Sequence, residues 1–196
     1  MIATHSFTQD ELSLLFEGDQ SQPMYVYQDT VPAELQVLKT NCIAIDPQDE
    51  NVKMLIARMY KTVTDGDRAG VGIAAPQVGL NRRLFLVKRF DKANEPFEFF
   101  SNPQIIWYSS LLQQGDEGCL SIENCYAPVY RSMAVQLTYF DLEGNHYQEV
   151  VEGYTAVIMQ HEYDHLNGVL FTDRIEEQRQ RQYEDATIET PLVYEV

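Results

Sequence analysis

Residues Gln160-His161-Glu162-Tyr163-Asp164-His165 decide the reading of this chain. They lie inside a largely apolar segment, Tyr154 to Leu166, that ends at Asn167-Gly168, a signal for the C-terminal cap of a helix. On a helix, side chains four apart lie one above the other, so the imidazoles of His161 and His165 reach the same point in space, where one metal ion can be held. Glu162, between them, is placed to take a proton from water at that metal without being a ligand. A catalytic metal site needs three protein ligands and an open position, and no histidine follows His165. The candidates for the third ligand are the three cysteines, Cys42, Cys119 and Cys125. A thiolate with two imidazoles suits zinc or ferrous iron. Cys119, in Glu117-Gly118-Cys119-Leu120-Ser121, stands beside a glycine that lets the backbone approach a ligand closely, and is the better choice. Cys42 and Cys125 read as small buried apolar residues, the ordinary fate of a free cysteine.

Upstream lies Gly70-Val71-Gly72-Ile73-Ala74-Ala75-Pro76-Gln77-Val78-Gly79. Gly-x-Gly-x-x-Ala is also a dinucleotide-binding pattern, but here the preceding residues are polar and turn-like rather than a buried strand. Pro76 would moreover interrupt the helix that pattern requires. The small residues, Gly72 among them, instead let a substrate backbone come close, and Gln77 offers a neutral amide donor.

Together the three segments resemble the peptide deformylases. That family's motifs are a Gly-φ-Gly-φ-Ala-Ala-x-Gln loop, a Glu-Gly-Cys-φ-Ser strand and a Gln-His-Glu-φ-Asp-His helix, where φ is apolar. They occur here in the same order at Gly70 to Gln77, Glu117 to Ser121 and Gln160 to His165. The resemblance spans about residues 40–172. It implies one divalent metal ion on Cys119, His161 and His165, with Glu162 as general acid/base. It also implies that the Gln77 side-chain amide and the Leu120 backbone N–H bind the developing oxyanion. The substrate it implies is the N-formyl group of formyl-methionyl peptides on nascent chains, cleaved to formate and a free N-terminus. Ferrous iron is the metal expected, with Zn2+, Ni2+ or Co2+ able to fill the same ligands. Val157 and Ile158 lie four and three residues before His161 and share its helix face, so with Val71 they are expected to form the methionine pocket. Val71 and Gly118 are expected to pair with an extended peptide as with an added strand. Residues 122–128, Ile-Glu-Asn-Cys-Tyr-Ala-Pro, depart from the family, many of whose members carry a proline soon after the second motif, and bear on specificity. The alternatives are a broader metallopeptidase, against which the missing downstream ligand argues, and a non-catalytic metal-binding relative, against which the presence of Glu162 and Gln77 argues.

The rest of the chain predicts an α+β fold: a single compact domain of antiparallel strands around the central helix, with N-terminal and C-terminal helices. A helix is expected over Thr8 to Glu17, with Thr8 and Glu11 forming a capping box. Gln20 to Pro32 reads as an irregular arm. A second helix is expected from Asp49 to Val63, where Val52, Leu55, Ile56, Met59 and Val63 share one face and Asp65-Gly66-Asp67 stops it. Strands are expected at Leu84 to Val87, Phe97 to Ser101, Gln104 to Tyr108, Ala134 to Phe140 and His146 to Val151, with turns at Asp91 to Pro96 and Asp141 to Asn145. The parts are thus a 1–39 N-terminal extension, a 40–172 catalytic domain and a 173–196 acidic tail, read as a solvated helix that frays.

The 196 residues suit one domain, and 44% hydrophobic with 22% charged residues is a globular composition. Fourteen basic against 30 acidic residues give a net charge of −16. With no basic patch, that charge repels phosphate backbones, so no direct nucleic-acid binding is expected. An odd number of cysteines without framework spacing fits a reducing compartment. Met1 to Asp10 lacks a basic segment followed by an apolar run, and no stretch approaches the roughly 20 apolar residues that span a bilayer. A cytoplasmic protein without a membrane partner is the expectation, its oligomeric state left open.

Overall fold

The apolar run at Leu84 to Val87 forms strand β2 (Leu84–Lys88) in the computed structural model, and both of its faces are covered. The structure describes residues 4–66, 69–186 and 192–196. Leu84 and Leu86 pack on one side with Val52, Leu55 and Met59 of helix α3 (Asn51–Val63), while Phe85 and Val87 pack on the other with Ala156, Ile158 and Met159 of helix α4 (Gly153–Leu166). Alternate side chains point to opposite faces of a strand, so a strand with a helix on each side must be apolar throughout. Asp67 of the expected stop after α3 lies outside the described residues; the helix ends at Val63 with Thr64 as its cap.

Strand β2 belongs to an antiparallel sheet of five strands in the order β1-β2-β3-β6-β7, with β1 Gly72–Ala74, β3 Phe97–Tyr108, β6 Ala134–Phe140 and β7 His146–Glu152. The two strands expected at Phe97 to Ser101 and Gln104 to Tyr108 are one. Asn102 at φ 48° and a register shift between Ser101 and Gln104 bend β3 without ending it. A second sheet has the order β5-β4-β9-β8, from β4 Leu112–Cys119, β5 Ile122–Ser132, β8 Tyr183–Asp185 and β9 Leu192–Glu195.

The expected helix at the N-terminus is α1 (Gln9–Leu15), closed by the Thr8–Glu11 capping box. The arm that follows runs into a helix not expected from the sequence, α2 (Pro32–Leu38), with proline in its first turn where the missing N–H costs nothing. The reading of the tail needs correcting. Helix α5 (Phe171–Gln178) begins earlier than expected, and beyond it β8 and β9 join the second sheet, where Val193 is buried opposite Leu112. The expected helix over Thr187 to Pro191 lies outside the described residues. Among the described residues no helix is long and apolar enough to cross a membrane.

Candidate metal centre

Helix α4 runs between the two sheets, touching β1 and β2 on one side and β5 on the other. It carries His161 and His165 on one face, with their rings 5.0 Å apart and nearly perpendicular. Cys119 closes β4, where the chain turns through Leu120 and Ser121 and re-enters the sheet at Ile122, paired with Cys119. This hairpin brings the Cys119 Sγ to 3.3 Å from His165 Nε2. The ligand atoms of Cys119, His161 and His165 lie within 4.8 Å of one another. Three ligands around one tetrahedral ion stand about 3.5 Å apart at ordinary zinc–sulfur and zinc–nitrogen lengths, so a small contraction would bring them onto one cation. Among the described residues these three form the one such His/Cys/Asp/Glu cluster. Cys42 is buried elsewhere, its thiol pushed up to about 12 by burial, and Cys125 packs with Leu38 and Ile122.

The imidazoles are oriented from behind. Glu117, two residues before Cys119, places Oε2 2.8 Å from His161 Nδ1, which leaves Nε2 free to face the metal position. Arg131 on β5 donates to both Glu117 oxygens, at 2.7 and 3.0 Å, and at 2.5 Å to Asp164. Arg174 on α5 holds the other side of Asp164. Burial pushes the Glu117 carboxyl up, but the hydrogen bonds from His161 and Arg131 outweigh it and hold it at about 2. His165 is pushed well below the ordinary histidine range by burial and by the charges of His161 and Arg131. A neutral imidazole with a free lone pair is the form that binds metal. Sequence reasoning placed Glu117 and Asp164 within motifs but gave neither a role, and it passed over Arg131. A buried arginine between two carboxylates leaves no periodic signal.

Glu162 is buried, and its Oε2 has no hydrogen-bond partner among the described residues. Burial pushes its carboxyl up to about 7, against the pull of His161 and with the help of the Glu117 charge. Across the cleft, the Gln77 Oε1 accepts from the Ala74 N–H at 2.9 Å, which turns its amide nitrogen toward Cys119 Sγ (3.5 Å) and Ser121 Oγ (3.3 Å). Pro76 starts not a long helix but a short 3-10 turn, Ala75–Val78, so the dinucleotide reading fails on structure as it did on sequence. A cleft of about 540 Å³ joins these groups. Its lining includes Gln77, Leu120 and Glu162, together with every residue expected at the substrate: Val71, Gly72, Gly118, Val157 and Ile158. Tyr126, from the unusual 122–128 stretch, stands at the mouth against Gly118.

The donor set, the orphaned Glu162 oxygen and the cleft of mixed polar and apolar lining fit a metal-dependent hydrolase, and comparison with known proteins agrees. The sequence profile described as polypeptide deformylase matches residues 24–181. A peptide deformylase of Thermotoga petrophila is 39% identical over 139 residues, 71% of this chain and 81% of its own length. The crystal structure of peptide deformylase from Thermotoga maritima superposes with a TM-score of 0.68 at 36% identity, covering 77% of this chain and 97% of that one. A Met-Ala-Ser-bound class I type b enzyme of Acinetobacter baumannii gives 0.68 at 34% identity, covering 79% and 99%. Matched by that profile over most of its length, and by these relatives in sequence and fold, the chain belongs to the polypeptide deformylase family, a family of metal-dependent hydrolases.

Proposed function

We propose that the chain removes the N-formyl group from formyl-methionyl N-termini of newly made polypeptides in the cytoplasm, using one Fe2+ held by Cys119, His161 and His165. The observation that carries this is the convergence of three ligand atoms within 4.8 Å, two of them on residues that line the cleft with Glu162, whose Oε2 has no hydrogen-bond partner among the described residues. When bound, the cation supplies Lewis acidity, polarising the formyl carbonyl and acidifying water. Glu162 accepts the proton that water loses as its oxygen attacks the formyl carbon, then delivers it to the departing amine, so that formate and a free N-terminus leave. As charge builds on the formyl oxygen, the Gln77 amide nitrogen and the Leu120 N–H donate to it; losing one such donor costs about 10²–10³ in rate in other enzymes. Val71, Val157 and Ile158 receive the methionine side chain. The backbones of Val71, Gly72 and Gly118 accommodate the extended peptide, in keeping with the Met-Ala-Ser ligand of the Acinetobacter relative. Residues 40–172 form the catalytic unit, flanked by the 1–39 extension and the 173–196 tail. Ferrous iron is taken as the metal because the deformylase family usually employs it; the thiolate and two imidazoles would hold Zn2+, Ni2+ or Co2+ as well.

The test is formate release from a formyl-Met peptide by protein purified anaerobically with ferrous iron, alongside Glu162→Ala. Release abolished by the substitution with metal retained is expected. No release from protein carrying a full equivalent of metal would overturn the proposal, and rapid cleavage of an unformylated peptide would point to a broader metallopeptidase.

A further inference from the structure

The two residues at the tip of the β4–β5 hairpin, Leu120 and Ser121, would ordinarily be among the most mobile in the fold, because tight-turn tips project into solvent. Here they are tied down from outside the hairpin. Gln28, on the arm between α1 and α2, donates from Nε2 to the Leu120 carbonyl at 3.1 Å and to Val26 at 3.0 Å. The next residue, Asp29, donates its backbone N–H to the Ser121 carbonyl at 3.0 Å. On the other side, the Tyr27 N–H donates to the Gln77 carbonyl at 2.8 Å. Three consecutive arm residues thus hold the backbone of the hairpin tip and that of Gln77, the two places from which the oxyanion donors arise. Gln28 is itself anchored, since its N–H donates at 2.6 Å to Glu34 in the first turn of α2.

We infer that Gln28 is a positioning residue for deformylation: it clamps the Leu120 peptide so that the Leu120 N–H and the Gln77 amide stay aimed at one point while charge develops. This rests on the reading of Gln77 and Leu120 as oxyanion donors. It also gives a role to part of the N-terminal segment. A donor that wanders by an ångström loses much of its advantage in the transition state while barely changing ground-state binding. Gln28 is half-buried, and methionine and glutamate are close to its length, so Gln28→Met and Gln28→Glu remove the donor while keeping the shape.

The experiment measures kcat and KM on formyl-Met-Ala-Ser for the metal-loaded parent, both variants and Gln77→Ala, together with amide hydrogen exchange over residues 119–122. The expected result for both Gln28 variants is kcat about tenfold lower per metal-loaded site with KM within twofold, a fraction of the roughly 10²–10³ that follows from losing a donor outright. Exchange over 119–122 should quicken by a similar factor. A merely structural role would lower the folded fraction or the metal content and leave kcat per loaded site unchanged. Parental kcat in the two Gln28 variants, a change confined to KM, or unaltered exchange overturns the clamp. If Gln77→Ala itself keeps parental kcat, the oxyanion reading falls and the clamp with it; if only the Gln28 variants keep it, the clamp alone is wrong.

Discussion

The Glu162 carboxylate lies so close over Gly72 that a methyl group on this glycine would stand 2.9 Å from Glu162 Cδ and closer still to Oε1, with the Ile158 side chain at 2.9 Å on its other side. Real Cβ atoms do not approach so near, so one partner must move, and Glu162 and Ile158 both sit on the packed helix α4. Gly72→Ala is expected to turn the carboxylate aside and lower kcat/KM for a formyl-Met peptide by about 10²-fold, the usual cost of misplacing a reacting group by about an ångström. Metal content should not change, because the atoms nearest the added methyl group belong to Glu162 and Ile158 rather than to any of the three ligands. Parental kcat/KM in a folded Gly72→Ala protein would show that the carboxylate has room the structure does not show.

Glu117 tests how far the metal site depends on residues that do not face the metal. Its contact with His161 Nδ1 fixes which nitrogen faces the ligand position. Glu117→Gln keeps an acceptor of the same shape but removes the charge, and partners of this kind typically change metal affinity by 10–100-fold. The variant should therefore lose metal to a chelator at a concentration lower by that factor and recover activity in excess metal. An unchanged competition curve would show that packing alone orients the imidazole.

Arg131 and Arg174 share Asp164, but their surroundings differ. Arg131 is buried with both of its carboxylates, whereas the Arg174 side chain is 31% exposed. Removing a buried partner strands charge, so Arg131→Met should lower unfolding free energy by about 3–5 kcal/mol. Arg174→Met should cost about 1 kcal/mol or less, as expected of a pair that water can reach. Urea unfolding of the two variants decides the point, and equal losses would mean that Asp164 is satisfied equally from both sides.

The motifs on α4 and the 70–77 loop were legible because their chemistry depends on local spacing: a helix turn between two histidines, and small residues in a row. Helix α3 was legible because one apolar stripe faces the sheet. The β4 strand was legible only at its Glu117 end, through the family motif, since Leu112-Gln-Gln-Gly-Asp-Glu-Gly-Cys119 is polar, contains two glycines and is exposed from Gln114 to Asp116. It exists because β5 pairs with it on one side and β9 on the other, a partner about 80 residues away in sequence. The tail was misread for the same reason: Leu192-Val193-Tyr194-Glu195 is too short to announce itself as a strand without the edge it joins. Cys119, His161 and His165 could be named from sequence, whereas the Glu117–Arg131–Asp164–Arg174 chain behind them joins β4, β5, α4 and α5 and is created only by folding.

Just beyond β2, Arg89 is buried and carries three acids: Asp91 at 2.7 and 2.9 Å, Glu98 at 2.8 Å and Glu149 at 3.0 and 3.1 Å. The hydrogen bonds from Arg89 hold the Asp91 carboxyl at about 2 against the opposing effect of burial. The folded value lies below the unfolded one of about 3.9, so the ionised form is the one folding favours. Its contribution is complete above pH 4 and disappears as the pH falls through about 2. The urea midpoint of Asp91→Asn should therefore lie below that of the parent by a constant amount between pH 6 and 8, and the gap should narrow between pH 4 and 2. Because Asp91 is partly exposed, salt should narrow the gap as well. A gap that stayed constant down to pH 2 would mean that Asp91 stabilises the loop through its turn geometry rather than through the charge on Arg89.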